Sequence, residues 1–238
     1  MDLDTLSDPR DAGVEIPAAQ APTTTARRMQ ARPDRLVASA AALCFVLYPA
    51  LRPASSETGL EGAAAFSSWQ WTAAHVLGMV AFVGLAATVL LQAYRAPVAT
   101  SLAGWSAGLV TVGVAAILPY YGAETFGLAA IGAATREASD ATIVGLSEDV
   151  RNGVPALTMF GLGLAAIAIG GALIAVRSWR VDSSLARAAS SVMALGLVTY
   201  LPQFFLPTGA RVLHGAILGV GLVLWVWTRR PDTGGRSL

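Results

Sequence analysis

The stretch whose reading decides the fold is Trp69–Arg95, WQWTAAHVLGMVAFVGLAATVLLQAYR. It opens on Trp69 and Trp71, closes on Tyr94-Arg95, and holds a single ionisable side chain between them, His75. A helix needs about 20 apolar residues to cross a hydrocarbon core. Tryptophan, tyrosine and arginine at the ends suit the two membrane–water interfaces. The segment therefore reads as a transmembrane helix over 70–94.

The rest of the chain repeats the pattern. It is 55% hydrophobic and 13% charged, with a mean hydropathy of +0.59, whereas soluble domains carry about 25% charged residues. Apolar runs predict further spans at 36–51, 102–121, 154–176, 185–206 and 212–228. The fold class that follows is an all-α integral membrane protein, a six-transmembrane-helix bundle over 36–230. Residues 1–35 are acidic, then rich in Pro, Ala and Thr. They hold too little apolar surface to fold and read as a disordered cytoplasmic tail. Residues 231–238 read as a short cytoplasmic tail. The first span is short, and Arg35 and Arg52 extend its reach by snorkelling. The long connection 122–152 is first apolar, then acidic, and is expected to hold one or two helical pieces at the membrane surface.

Arginine placement sets the orientation. With the N-terminus inside, ten arginines flank the inner ends (27, 28, 32, 35, 95, 177, 180, 187, 229, 230) and four lie outside (Arg52, Arg136, Arg151, Arg211). Both termini are therefore expected in the cytoplasm. All 16 basic residues are arginine. With abundant Ala and Gly, this points to a GC-rich bacterial genome and an inner-membrane location. Each outward-going helix also carries a proline beside an aromatic near its outer end: Tyr48-Pro49, Pro119-Tyr120-Tyr121 and Pro202-Gln-Phe204. The recurrence points to three stacked helical hairpins, although prolines also end helices at interfaces without any repeat.

Two Gly-x3-Gly pairs, Gly104/Gly108 and Gly215/Gly219, place small residues on one helix face and mark packing surfaces, within the chain or in a homo-oligomer. The lipid bilayer is the obligatory partner, and a second copy or another membrane protein is a further one. Nucleic acid is excluded, because no basic stripe interleaved with aromatics occurs. The single cysteine, Cys44, rules out an intrachain disulfide and a cysteine-based metal site.

The candidate site is His75, His214 and Glu124, with Tyr120 and Tyr121. Both histidines fall roughly 5–10 Å inside the outer boundary at about 1.5 Å rise per residue. Ionisable groups at that depth face a cavity or a partner. Two imidazoles and a carboxylate suit a divalent metal. Two facing histidines suit haem b, and imidazole also suits a proton or ligand site. The plainer alternative is that each histidine satisfies a local hydrogen bond, with Gly78 one turn below His75 allowing close packing.

Gly104-Trp105-Ser106-Ala107-Gly108 matches G-x-S-x-G but lacks the strand–turn–helix setting. A rhomboid-type protease would need Ser106 beside a histidine, and the offset along the membrane normal is on the order of 15 Å. Glu124, Glu137, Asp140, Glu148 and Asp149 make the outer loops acidic. Asp182 is expected in a surface ion pair with Arg180 or Arg187. Nucleotide, zinc-protease and C-x-x-C motifs are absent. No charge falls in the middle third of any span, which weighs against an ion-coupled transporter.

The leading expectation is a non-catalytic binding or scaffold protein with an outer-side pocket and no cofactor. The alternatives are a haem- or metal-binding redox protein using His75 and His214, and a transporter of a neutral or hydrophobic molecule.

Overall fold

A computed structural model describes residues 32–95 and 101–229. In chain order the α-helices are α1 (Pro33–Leu51), α2 (Gly59–Phe66), α3 (Trp69–Tyr94), α4 (Ser101–Gly122), α5 (Leu128–Ala138), α6 (Leu146–Asn152), α7 (Val154–Val181), α8 (Ser184–Val198) and α9 (Thr208–Thr228). A π-helical turn, Ala123–Gly127, joins α4 to α5, and 3₁₀ turns cover Ile143–Gly145 and Pro202–Phe205. No strand occurs among the described residues. Residues 1–31 of the tail expected at 1–35, and the whole of that expected at 231–238, lie outside the described residues.

Helix starts follow local chemistry. Ser68 caps α3, its hydroxyl accepting from the Trp71 N–H at 3.2 Å, and Ser183 does the same for α8 through the Ala186 N–H at 3.4 Å. Such a cap satisfies one of the four free N–H groups of a first turn. Helix α1 begins at Pro33, three residues earlier than expected. Proline needs no N–H at a first helical position, and Asp34 complements the positive helix end from a buried place in the first turn.

Five helices are long and apolar enough to cross a membrane: α1, α3, the combined run Leu102–Ala138, α7 and α9. The run expected at 185–206 is realised differently. Helix α8 has 15 residues and gives way at Thr199-Tyr200 to the Pro202–Phe205 turn, because Pro202 cannot continue a helical ladder. The expected end at Tyr121 is also corrected, since α4 runs on through the π turn into α5. The run of 37 residues is about 55 Å long at 1.5 Å per residue, longer than a hydrocarbon core of about 30 Å. Its second half packs on α2, where Gly132 lets the helices meet: a Cβ there would come within 2.6 Å of the Ala63 carbonyl.

The long helices close into a ring in the order α1, α3, α4, α7, α8, α9 and back to α1. Glycines set several of the contacts. Gly84 lies against Ala41, Gly113 against Gly163, Gly171 against Leu197, Gly196 against Leu218 and Gly219 against Ala42. In four of the pairs (α1–α3, α4–α7, α8–α9, α9–α1) a second contact, respectively Gly78–Tyr48, Gly170–Ser106, Gly221–Met193 and Gly215–Phe45, runs in the opposite sense along the two helices. These neighbours are therefore antiparallel. The centre is filled by edge-on aromatics, with Phe45–Phe82 at 5.3 Å and Phe82–Tyr200 at 4.9 Å between centroids. The outside carries exposed apolar side chains such as Leu43, Val83, Val112, Leu162 and Val220, the surface that acyl chains cover.

A polar network ties the first and last of the described helices, through α3, at the end away from His75. Asp34 accepts from the Gln92 amide at 2.9 Å and pairs with Arg95. Gln92 accepts from Arg229 at 3.0 Å. Arg229 reaches Asp182 at 3.4 Å, with both side chains under 10% exposed. Asp182 is thus not in a surface pair with Arg180 or Arg187. Its carboxylate accepts from the Ser178 hydroxyl at 2.8 Å and pairs with Arg229, 47 residues away, which only ring closure brings near.

Candidate functional site

The His75 end of the bundle holds an open cleft of about 480 Å³. Its polar walls come from Arg52, Glu57, Glu124, Arg151 and Arg211, and its aromatic walls from Tyr48, Tyr120, Tyr121, Phe160 and Phe204. Tyr120 stacks on Phe160 at 4.4 Å, and the Tyr121 and Tyr200 hydroxyls meet at 3.3 Å behind them.

A continuous chain of hydrogen bonds stiffens the polar side. Helix α3 puts Trp71 and His75 one turn apart, so the His75 Nδ1 meets the Trp71 carbonyl at 2.8 Å. The π turn places Glu124 opposite them. Trp71 Nε1 donates to the Glu124 carbonyl at 2.7 Å, and His75 Nε2 lies 3.0 Å from Glu124 Oε2. The other carboxylate oxygen accepts from Arg151 Nε at 2.9 Å. Arg151 also pairs with Glu57 at 2.7 Å, and Glu57 with Arg52 at 2.8 Å. The Arg52 and Arg151 guanidiniums sit over the Trp71 ring, 5.1 and 5.5 Å from its centroid, an attraction strengthened by desolvation. Burial works to lower the Arg52 pKa. The neighbouring Tyr48, Glu57 and Glu124 groups outweigh it and raise the pKa above its ordinary value.

Hydrogen-bond logic fixes more than distances do. A carbonyl only accepts, so His75 Nδ1 carries a proton. The contact between Nε2 and Oε2 then needs one further proton, on the imidazole or on the carboxyl. Both ring nitrogens of His75 are engaged, and neither offers a free lone pair to a metal or a haem iron.

Of the five residues expected at the site, Tyr120, Tyr121 and Glu124 line the cleft. His75 is fully buried behind it and braces Glu124. His214 does not join them. Its Nε2 meets the Thr199 hydroxyl at 3.0 Å and its ring packs on Tyr200 at 5.9 Å. Among the described residues no group of three His, Cys, Asp or Glu side chains is placed to hold a metal ion. Ser106 lies at the opposite end, donating to the Ala103 carbonyl at 3.0 Å. It borders a small cavity of about 10 Å³ beside Gln92, Arg177 and Trp225, enough for about one water.

Sequence reasoning missed Arg52, Arg151 and Arg211 as site residues, having counted them only as outer flanking charges, and it gave Glu57 no part in the site. The signal that could have found the cleft is the proline–aromatic recurrence. Tyr48, Tyr120, Tyr121 and Phe204, drawn from all three occurrences, line it together. Glu137, Asp140, Glu148 and Asp149, by contrast, are exposed.

A scan against protein-family models matches none, and searches of curated proteins and of solved structures return no similar chain.

Proposed function

We propose that this is a six-crossing bacterial inner-membrane protein, with both termini cytoplasmic, that binds a small molecule in an outward-facing cleft and performs no chemistry on it. The observation that carries this reading is the cleft itself. Its volume of about 480 Å³ falls in the range of small-molecule sites, about 300–1,000 Å³. It combines an aromatic and aliphatic wall with a few convergent polar groups, the usual composition of such sites. The arginine bias of ten to four supports an outer-side cleft. The sixth crossing is α8 with its 3₁₀ extension. The helix alone spans about 22 Å, and the turn Pro202–Phe205 carries the chain further.

Native mass spectrometry of protein taken gently from membranes into a neutral detergent tests the binding. One discrete small-molecule adduct per chain is expected. Leu157→Trp, which fills the cleft from its wall, should remove the adduct while the protein still elutes as a folded species. An adduct that survives Leu157→Trp, or wild-type protein that carries none and takes up none of the probes described next, would sink the reading.

A further inference from the structure

We infer that the cleft takes an amphiphile with an anionic head, a phosphate or carboxylate, held by Arg211, and an apolar chain or ring held against Leu157, Phe160, Leu201 and Phe204. This rests on the cleft being a binding site, as proposed above.

Charge provides the first support. The cleft is lined by three arginines and two glutamates, a formal +3 − 2 = +1. The glutamates are committed: Glu57 bridges Arg52 and Arg151, and Glu124 bridges Arg151 and His75. No carboxylate reaches Arg211 among the described residues. Among those residues only its Nε is engaged, donating to the Leu206 carbonyl at 2.8 Å. The remaining N–H donors of a guanidinium suit two oxygens of one carboxylate or phosphate.

Position provides the second. Arg211 is the fourth residue of α9, which begins at Thr208 and has no acidic residue in its first turn. A cation there adds to the positive end of the helix dipole, an arrangement that disfavours the free protein. A bound anion offsets both charges together.

Distribution provides the third. Of the four arginines that the topology assigns to the outside, Arg52, Arg151 and Arg211 all line this one cleft. Arginine is otherwise concentrated on the other side, so its gathering here marks the cleft as the place where positive charge is needed outside. The cleft also has an apolar lining. Phe160 lies 6.3 Å from Phe204, and Leu157 and Leu201 complete the surface. Together these features match a head and a tail of different polarity.

Dodecyl phosphate, dodecanol, dodecyltrimethylammonium and inorganic phosphate, each titrated by native mass spectrometry against delipidated protein in maltoside detergent, test the assignment. Dodecyl phosphate should bind one per chain, at least tenfold more tightly than dodecanol, with the ammonium weaker still. Arg211→Gln should remove the tenfold preference for dodecyl phosphate over dodecanol. That variant removes a cation from a positive helix end, which offsets the loss of the hydrogen bond to the Leu206 carbonyl. Leu157→Trp should abolish binding of both chains.

Equal affinity for dodecyl phosphate and dodecanol, or a preference untouched by Arg211→Gln, would overturn the anionic head and leave the binding cleft standing. Failure of every dodecyl probe to bind would overturn the amphiphile, and the binding cleft falls with it where the protein as isolated also carries no adduct and takes up no phosphate. Inorganic phosphate that competes as well as dodecyl phosphate would overturn the apolar half and identify a free anion as the ligand.

Discussion

At the scale of single residues, Glu124 is the joint of the site. It is 8% exposed and stands between a protonated guanidinium and an imidazole whose Nδ1 proton is committed to the Trp71 carbonyl. Removing one partner of a buried ionic group costs about 3–5 kcal/mol, because the others are left uncompensated. Glu124→Ala should therefore lower stability by about that much. Glu124→Gln should be far milder, about 1–2 kcal/mol. Its amide can donate to His75 Nε2 while its carbonyl still accepts from Arg151 Nε, so no partner is orphaned. Reversible unfolding in mixed detergent–dodecyl sulfate micelles measures both. Equal losses would mean that charge, and not hydrogen-bond satisfaction, holds the joint. His75 and Glu124 stood out in the sequence because ionisable groups are rare in apolar helices. Their meeting was not legible, since 49 residues separate them and nothing local encodes the phase of α3 against the π turn.

At the scale of elements, one sequence pattern has two fates. Gly215 and Gly219 form the seam between α9 and α1, where a Cβ on Gly215 would run into the Phe45 carbonyl. Gly104 and Gly108 have the same spacing, yet a Cβ on either meets nothing within 4 Å. Gly215→Ala should cost about 1–3 kcal/mol, since the obstacle is backbone and cannot rotate away. Gly104→Ala should change stability by less than about 1 kcal/mol, in the stabilising direction that helix propensity favours. Parallel unfolding curves for the two variants read this difference, and matched losses would place Gly104 in a contact with another chain. Spacing alone could not separate the two motifs, because it specifies a smooth face and not what lies opposite. The same limit hid the α4–α7 seam, where Gly113 and Gly163 are brought together from separate helices with no shared motif. Helix positions were far more legible. Hydropathy is a property of the run itself, and α3, α4 and α7 begin within one residue of the expected starts. Where the run was interrupted by Thr199 and Pro202, the expected length failed.

At the scale of the whole molecule, ring closure constrains the topology. Helix α9 lies antiparallel to α8 through Gly196–Leu218 and Gly221–Met193, and antiparallel to α1 through Gly215–Phe45 and Gly219–Ala42. Helices that alternate in direction around a closed ring must be even in number. Five helices are long enough to cross, and the proposed six-crossing arrangement needs α8, with its 15 residues, as the sixth. The parity has a measurable consequence at the C-terminus. With six crossings, a reporter fused after Arg230 lies on the same side as Arg35, and a reporter inserted in the exposed turn at Asp140 lies on the other. Paired phosphatase and fluorescent-protein fusions should therefore report cytoplasm after Arg230 and periplasm at Asp140. A periplasmic signal after Arg230, with Asp140 unchanged, would mean that α8 turns back without crossing. The Asp182–Arg229 contact at 3.4 Å could not then lie in the cytoplasm, and the outward assignment of Arg211 would be lost with it. Arginine counting and ring parity are independent, the first resting on loop charge and the second on helix packing. Agreement of the fusions with both would orient the cleft without reference to its ligand.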